Sequence, residues 1–214
     1  MNERPLFAGA PGNTPLTEEE RHGLLLPVLT RGELDAAEAD TISQARLRLL
    51  APGRRLTIER ILDVGWMQQL HRDMYGDVWS WAGAFRTTER NLGVEPWKIP
   101  MALRDLTEDA MFWLADLRDN APTGMPADEL CLRLSHRAVL IHPFPNGNGR
   151  WSRLLADAAA VSLRRAVFTW GRTSFRGEDA NLRRGDAVRQ AYLGTLRAAD
   201  HQLDYAPLMA FARS

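Results

Sequence analysis

The chain has 214 residues, enough for one large domain or two small ones, and its 45% apolar share is that of an ordinary globular protein with room for a sizeable core. Lysine plus arginine (27) balances aspartate plus glutamate (27), and this neutral charge argues against broad capture of nucleic acid or of an acidic membrane surface. Cys131 is the lone cysteine, and neither a signal-peptide core nor a membrane-spanning apolar stretch is present, so a soluble protein of the reducing cytoplasm is expected.

Residues 1–15 are rich in Gly, Pro and Asn and read as loose. "TPLTEEERHGLL" then starts a short helix, with Thr14 as the cap and Pro15 at the first helical position. "TRGELDAAEADTISQARLRLLA" is a longer helix closed by Pro52 and Gly53. "TIERILDVGWMQQLHRDMYG" repeats apolar residues at helical spacing and ends at Gly76. "DVWSWAGAFRTTERNLGVEPWKIP" breaks that period with aromatics, threonines, glycines and prolines, so a strand pair or ordered flap is expected there. "MALRDLTEDAMFWLADLRDN" and "ADELCLRLSHRAVLIH" return to helix, the latter with Leu130, Leu134, Ala138 and Ile141 on one face. "WSRLLADAAAVSLRR" carries an apolar stripe through Trp151, Leu154, Leu155, Ala158, Ala159, Ser162 and Leu163. One or two helices in "NLRRGDAVRQAYLGTLRAADHQLDYAPLMAFAR" close the chain, which has no internal repeat. The reading is a single, mainly α domain with a small β flap.

Between two of these helices lies "IHPFPNGNGR", Ile141 to Arg150. Gly147 and Gly149 permit left-handed or close-approach backbone, so several N–H groups converge at a helix N-terminus and make an anion site. Arg150 and Arg153, three apart, project to one side and reach the outer phosphates of a nucleotide. Asn148 offers a further donor to a phosphate oxygen, and Phe144 is a packing anchor. His142 beside them suits a general base. Lys98 is the only lysine, so single arginines here say little, and the spacing carries the argument. Alone, the histidine reads as a cap, the NGNG as a turn, and the arginines as a solvated face or as partners of Asp157; together they describe transfer of a phosphorus-bearing group.

"HPFPNGNGRWSR", His142 to Arg153, resembles the Fic/Doc family motif H-x-F-x-[D/E]-G-N-G-R-x-x-R. "MYGDVWSWAGAFRTTERNLGV" is similar to that family's segment leading into its flap. Asn146, "TPL" and "FTWG" are similar to the bacterial subgroup called mobile mystery protein B, which is usually encoded beside a small helix-turn-helix protein. The resemblance implies the mainly α Fic fold with a β-hairpin flap: residues 1–54 as a helical extension, 55–205 as the Fic domain and 206–214 as a tail. It implies transfer of AMP from ATP to a Ser, Thr or Tyr hydroxyl of a target protein. His142 would be the base, and Gly147, Asn148, Gly149, Arg150 and Arg153 would hold the phosphates. The flap around Phe85, Arg86, Thr87 and Thr88 would hold the target by main-chain pairing. Partners would be the target protein and, in a toxin–antitoxin-like pair, the small helix-turn-helix protein; neither nucleic acid nor a membrane is expected.

Asn146 departs from the motif's acidic position, a Mg²⁺ ligand in the family. A neutral amide binds Mg²⁺ or Mn²⁺ more weakly. The alternatives are therefore a transferase of another phosphate-containing group or a non-catalytic nucleotide-binding module. The family's inhibitory string [S/T]-x-x-x-E-[G/N] is approached by "TPLTEE" and by "SFRGED", each with the wrong last residue, so restraint by a partner protein is expected instead. The histidines lack zinc-site spacing, and His22, His71, His136 and His201 read as core or surface residues. Trp79 and Trp81 bracket the flap entrance, close enough to share in target contact.

Overall fold

The computed structural model describes residues 6–7, 16–51, 53, 55–118, 124–172, 174 and 187–214. Capping boxes open the first two helices. Thr17 and Glu20 exchange side-chain bonds with each other's backbone at α1 (Glu18–His22), and Thr30 and Glu33 do so at α2 (Arg31–Leu49). Such caps contribute about 1 kcal/mol each. The cap of α1 is thus Thr17, because a Glu stands three residues after it; Thr14 and Pro15 lie outside the described residues. The next helical stretch is two helices, α3 (Ile58–Ile61) and α4 (Val64–Tyr75). Asp63 divides them by turning its carboxylate onto the Trp66 N–H at 2.7 Å, a cap that the apolar spacing alone does not reveal.

A 3-10 turn, Pro96–Lys98, leads into α5 (Ile99–Arg118), and α6 (Ala127–Ile141) follows. The chain then turns into α7 (Asn148–Ser162), and α8 (Ala187–Gln202) and α9 (Ala206–Arg213) complete the order. Residues 206–213, expected as a tail, are helical, and Leu208, Phe211 and Ala212 are buried.

Helix α7 is the axis of the core. Every residue from Trp151 to Ala160 is buried, so the expected apolar stripe is in fact a helix enclosed on all sides. Its most extensive neighbour is α6. Enclosure brings Asp157 inside, where it accepts from Arg46 on α2, from the Phe168 N–H at 3.0 Å and from Trp170 Nε1 at 3.2 Å. Asp157 therefore ties α2 and the 165–170 segment to the core.

The flap is not a hairpin. Among the described residues there is no strand, and the isolated bridge at the segment's start pairs Trp79 with Leu24. The segment after α4 is irregular because its hydrogen bonds go to other elements: Arg86 N–H to Pro143 C=O (2.9 Å) and Val94 N–H to Ile141 C=O (3.3 Å). No helix in the described residues is long and apolar enough to cross a membrane.

Candidate active site

His142 terminates α6 in the left-handed region, φ 54 and ψ 58, with its N–H on Ala138 C=O. A non-glycine residue held there costs about 1–2 kcal/mol, and such strain concentrates at functional sites. The conformation turns the chain out of α6 and into the Pro143–Asn146 loop. Phe144, fully buried, anchors that loop: it stacks on His71 at 3.8 Å and meets Trp151 edge-on at 5.0 Å. Burying such a ring is worth about 1.5–3 kcal/mol.

Asn148 closes the loop from below. Its Oδ1 accepts from the Phe144 N–H (2.9 Å) and its Nδ2 donates to the Phe144 C=O (2.8 Å). It is 2% exposed, so its side chain holds the turn and is not offered to a phosphate. Gly147 sits at φ +81 as the N-cap of α7, and no side chain caps the helix. A Cβ there would lie 2.5 Å from the Tyr75 ring, so only glycine fits. The first turn of this 15-residue helix, Asn148, Gly149 and Arg150, thus begins at the positive end of the dipole without a capping side chain.

The motif arginines are not idle. Arg150 donates to Glu38 Oε2 at 2.7 Å, and its guanidinium lies 5.3 Å from the Tyr75 ring centre. Arg153 is buried, with its guanidinium 5.0 Å from the Tyr192 ring centre. The guanidiniums that act on the His142 ring include those of Arg86 and Arg90.

Burial lowers the His142 pKa to about 4; a ring N–H bond to the Val139 backbone, the next largest effect, opposes it, and the Arg86 and Arg90 cations add to the lowering. The ring is neutral at physiological pH, with one nitrogen bonded and the other able to accept a proton. For a base of pKa about 4, kcat/KM is expected to stay flat over roughly pH 6 to 8 and to fall only as acid protonates the ring. An ordinary histidine would lose half its activity near 6.5. A pH profile, with circular dichroism at each pH to exclude unfolding, decides between them.

The flap covers this histidine. Gly93 (φ +95) comes so close that an added Cβ would lie 2.6 Å from His142 Cβ. Arg86 is 2% exposed and staples the flap, donating to the carbonyls of His142 (2.7 Å), Thr88 (2.8 Å) and Val94. Phe85 is half-buried against Phe144, and Thr88 donates to Glu20, which also holds Arg90. Of the four residues expected to dock a target, only Thr87 is exposed. The others are drawn inward because an irregular flap has no strand partner of its own and must satisfy its polar groups through side chains. Beyond Val94, a cleft of about 230 Å³ opens between flap, α5 and α6, lined by Ala102, Asp105, Arg137, Leu140 and Ile141, the residue before His142. Trp97 and Met101 are exposed nearby in sequence.

Two residues of the site escaped the sequence reading. Glu38, fully buried, bonds Trp79 Nε1 (2.8 Å) with one oxygen and Arg150 with the other. Trp79 is thus committed to the interior and does not meet a target. The available signal was Glu38 lying four residues after Leu34 on the buried face of α2. The acidic position of "TPLTEE", Glu18, is exposed, whereas the buried Glu38 meets the motif's Arg150; "SFRGED" lies outside the described residues after Ser174. His71 is the second. The Gly83 N–H donates to its Nδ1 (3.0 Å), so Nε2 carries the proton and donates to the Asn146 C=O (3.0 Å). Burial lowers its pKa to about 3, so it stays neutral and ties the flap's base to the motif loop.

Asn146 is the weak candidate for a metal ligand. Its Oδ1 accepts the Gly147 N–H at 2.8 Å, and the described residues contain no group of three or more His, Cys, Asp or Glu able to hold a metal. One neutral, already bonded oxygen does not make a resident Mg²⁺ site.

The Fic/DOC family model matches residues 61–160, from the end of α3 through α7. Residues 61–160 form a Fic/DOC family domain. Solved structures agree on the fold. Fic-1 (residues 134–508) from C. elegans is 22% identical, with TM-score 0.59 over 90% of this chain and 50% of that one. The BepC protein of Bartonella tribocorum, a VirB-translocated effector with bound AMPPNP, is 15% identical, with TM-score 0.56 over 92% of this chain and 97% of that one. The N-terminal Fic domain of a Bep effector from Bartonella quintana is 13% identical, with TM-score 0.58 over 97% and 90%. This chain spans only half of the Fic-1 structure. A comparison with curated proteins finds no match. The family is supported, and the mobile mystery protein B subgroup is not.

Proposed function

We propose that this chain is a protein adenylyltransferase, moving AMP from ATP to a Ser, Thr or Tyr hydroxyl of a target protein. One observation carries the reading: a neutral His142, strained into the left-handed region, stands at one end of a loop whose other end is the uncapped N-terminus of α7. A base for a hydroxyl and an anion site for phosphates are the two requirements of this chemistry. His142 takes the hydroxyl proton; the hydroxyl oxygen bonds to the α-phosphorus; the bond from that phosphorus to the bridging oxygen breaks, and pyrophosphate leaves. The N–H groups of the first α7 turn, including Gly149, hold phosphate oxygens, and Arg150 and Arg153 take the outer phosphates once drawn from their present partners. The target segment lies along the exposed flap tip and the adjoining cleft. The Fic domain is taken to run over 55–205, with 1–54 as an N-terminal helical extension and 206–214 as a C-terminal tail. A small helix-turn-helix partner rests on the sequence resemblance alone.

Incubation with labelled ATP, Mg²⁺ or Mn²⁺ and a cell lysate tests the reading, and the mass added to the modified protein identifies the group moved. Nucleotide binding without label under either metal would leave the non-catalytic module, which the committed Asn146 amide favours. Mg²⁺ enters as part of the nucleotide substrate. Asn146→Asp is expected to raise Mg²⁺-dependent labelling severalfold, since a carboxylate adds charge where the amide adds none. Unchanged labelling in an active protein would show that this position does not limit turnover.

A further inference from the structure

Tyr75, the last residue of α4, is 1% exposed, and its hydroxyl has no hydrogen-bond partner. Buried hydroxyls are almost always bonded, and an exception marks a trapped water or a function. The hydroxyl has a definite address. An added Cβ on Gly147 would lie 2.6 Å from it, so it presses on the N-cap of α7. The Arg150 guanidinium lies 5.3 Å from the same ring. The carboxylate of the neighbourhood, Glu38, has both oxygens engaged, one by Trp79 and one by Arg150. Burial raises the phenol's pKa above its ordinary value, so it is a donor and never a phenolate. The uncapped helix start and the orphan donor lack the same thing, an acceptor that the protein does not supply.

We infer that the Tyr75 hydroxyl is a ligand-binding group, reserved to donate to a phosphate oxygen of a polyphosphate seated on the first turn of α7. This rests on the reading of the site as a nucleotide site and adds to it a residue outside the motif. The phosphate oxygen is the acceptor that satisfies the phenol, the first-turn N–H groups and Arg150 together.

Tyr75→Phe removes only the hydroxyl, and the inference assigns opposite signs to its two effects. The ligand-free variant, freed of an unsatisfied buried group, is expected to melt at the same temperature as the wild type or higher. Its affinity for ATP, ADP and pyrophosphate is expected to fall about tenfold, with adenosine binding unchanged. Isothermal titration calorimetry and thermal melts on the full chain read both. A lower melting temperature would show that the hydroxyl is bonded within the protein or to a trapped water, and would overturn the inference. Equal ATP affinity in variant and wild type would overturn it while leaving the nucleotide site standing. A wild-type protein that binds none of these phosphates would overturn the nucleotide reading and the inference together.

Discussion

Replacing His142 is expected to reduce label transfer from ATP by about 10²–10⁴-fold, the usual worth of a positioned general base. The choice of variant matters because of the backbone. Residue 142 sits at φ 54, where alanine is strained, so His142→Ala risks moving the loop as well as removing the base. Asparagine tolerates this region and keeps a polar side chain, so His142→Asn isolates the chemistry. The two variants should lose transfer alike and retain ATP binding, because the α7 N-terminus and the arginines are untouched. Single-turnover labelling with parallel calorimetry checks this. Full transfer by His142→Asn would end the assignment of the base, and lost ATP binding in both would show that the loop had collapsed.

Glu38→Gln is expected to give the largest loss of stability. Glu38 is fully buried, and its removal as a charge leaves Arg150 without its carboxylate. Breaking a buried pair costs about 3–5 kcal/mol. The Arg150 side chain is 25% exposed, so solvent screens part of this, and about 2–3 kcal/mol is expected. For a chain of this size that is a fall in Tm of roughly 5–10 °C. Asp40→Asn, exposed on the same helix, should change little. The expected signature is in the response to ligand. A triphosphate can supply the charge that Glu38 no longer provides, so ATP should raise the Tm of the variant more than that of the wild type. Equal shifts would mean that Arg150 stays away from the phosphates.

These two residues mark the boundary of what the sequence reveals. His142 belongs to a contiguous string whose chemistry is legible because its parts are neighbours along the chain. Glu38 acts on the same string from 112 positions away. Its capping-box helix was readable; its partner was not, since pairing across the core depends on how α2 packs. The flap shows the same limit. Its aromatics and glycines announced an irregular segment, yet strand pairing was inferred where Arg86 instead bonds three carbonyls. Asn148 was read as a phosphate donor from its place between glycines, and folding turned its amide back onto Phe144.

By itself the sequence determined most of the helices, the glycine-rich turn and the histidine beside it, because each depends on spacing within a few residues. The tertiary structure alone decided which groups remain available. Burial committed Asn148, Arg86 and Trp79 to internal partners, fixed the His71 tautomer, and left the Tyr75 hydroxyl with none. The physical reason is that hydrogen-bond satisfaction in a closed core is settled by contacts between distant segments, and local pattern carries no record of them.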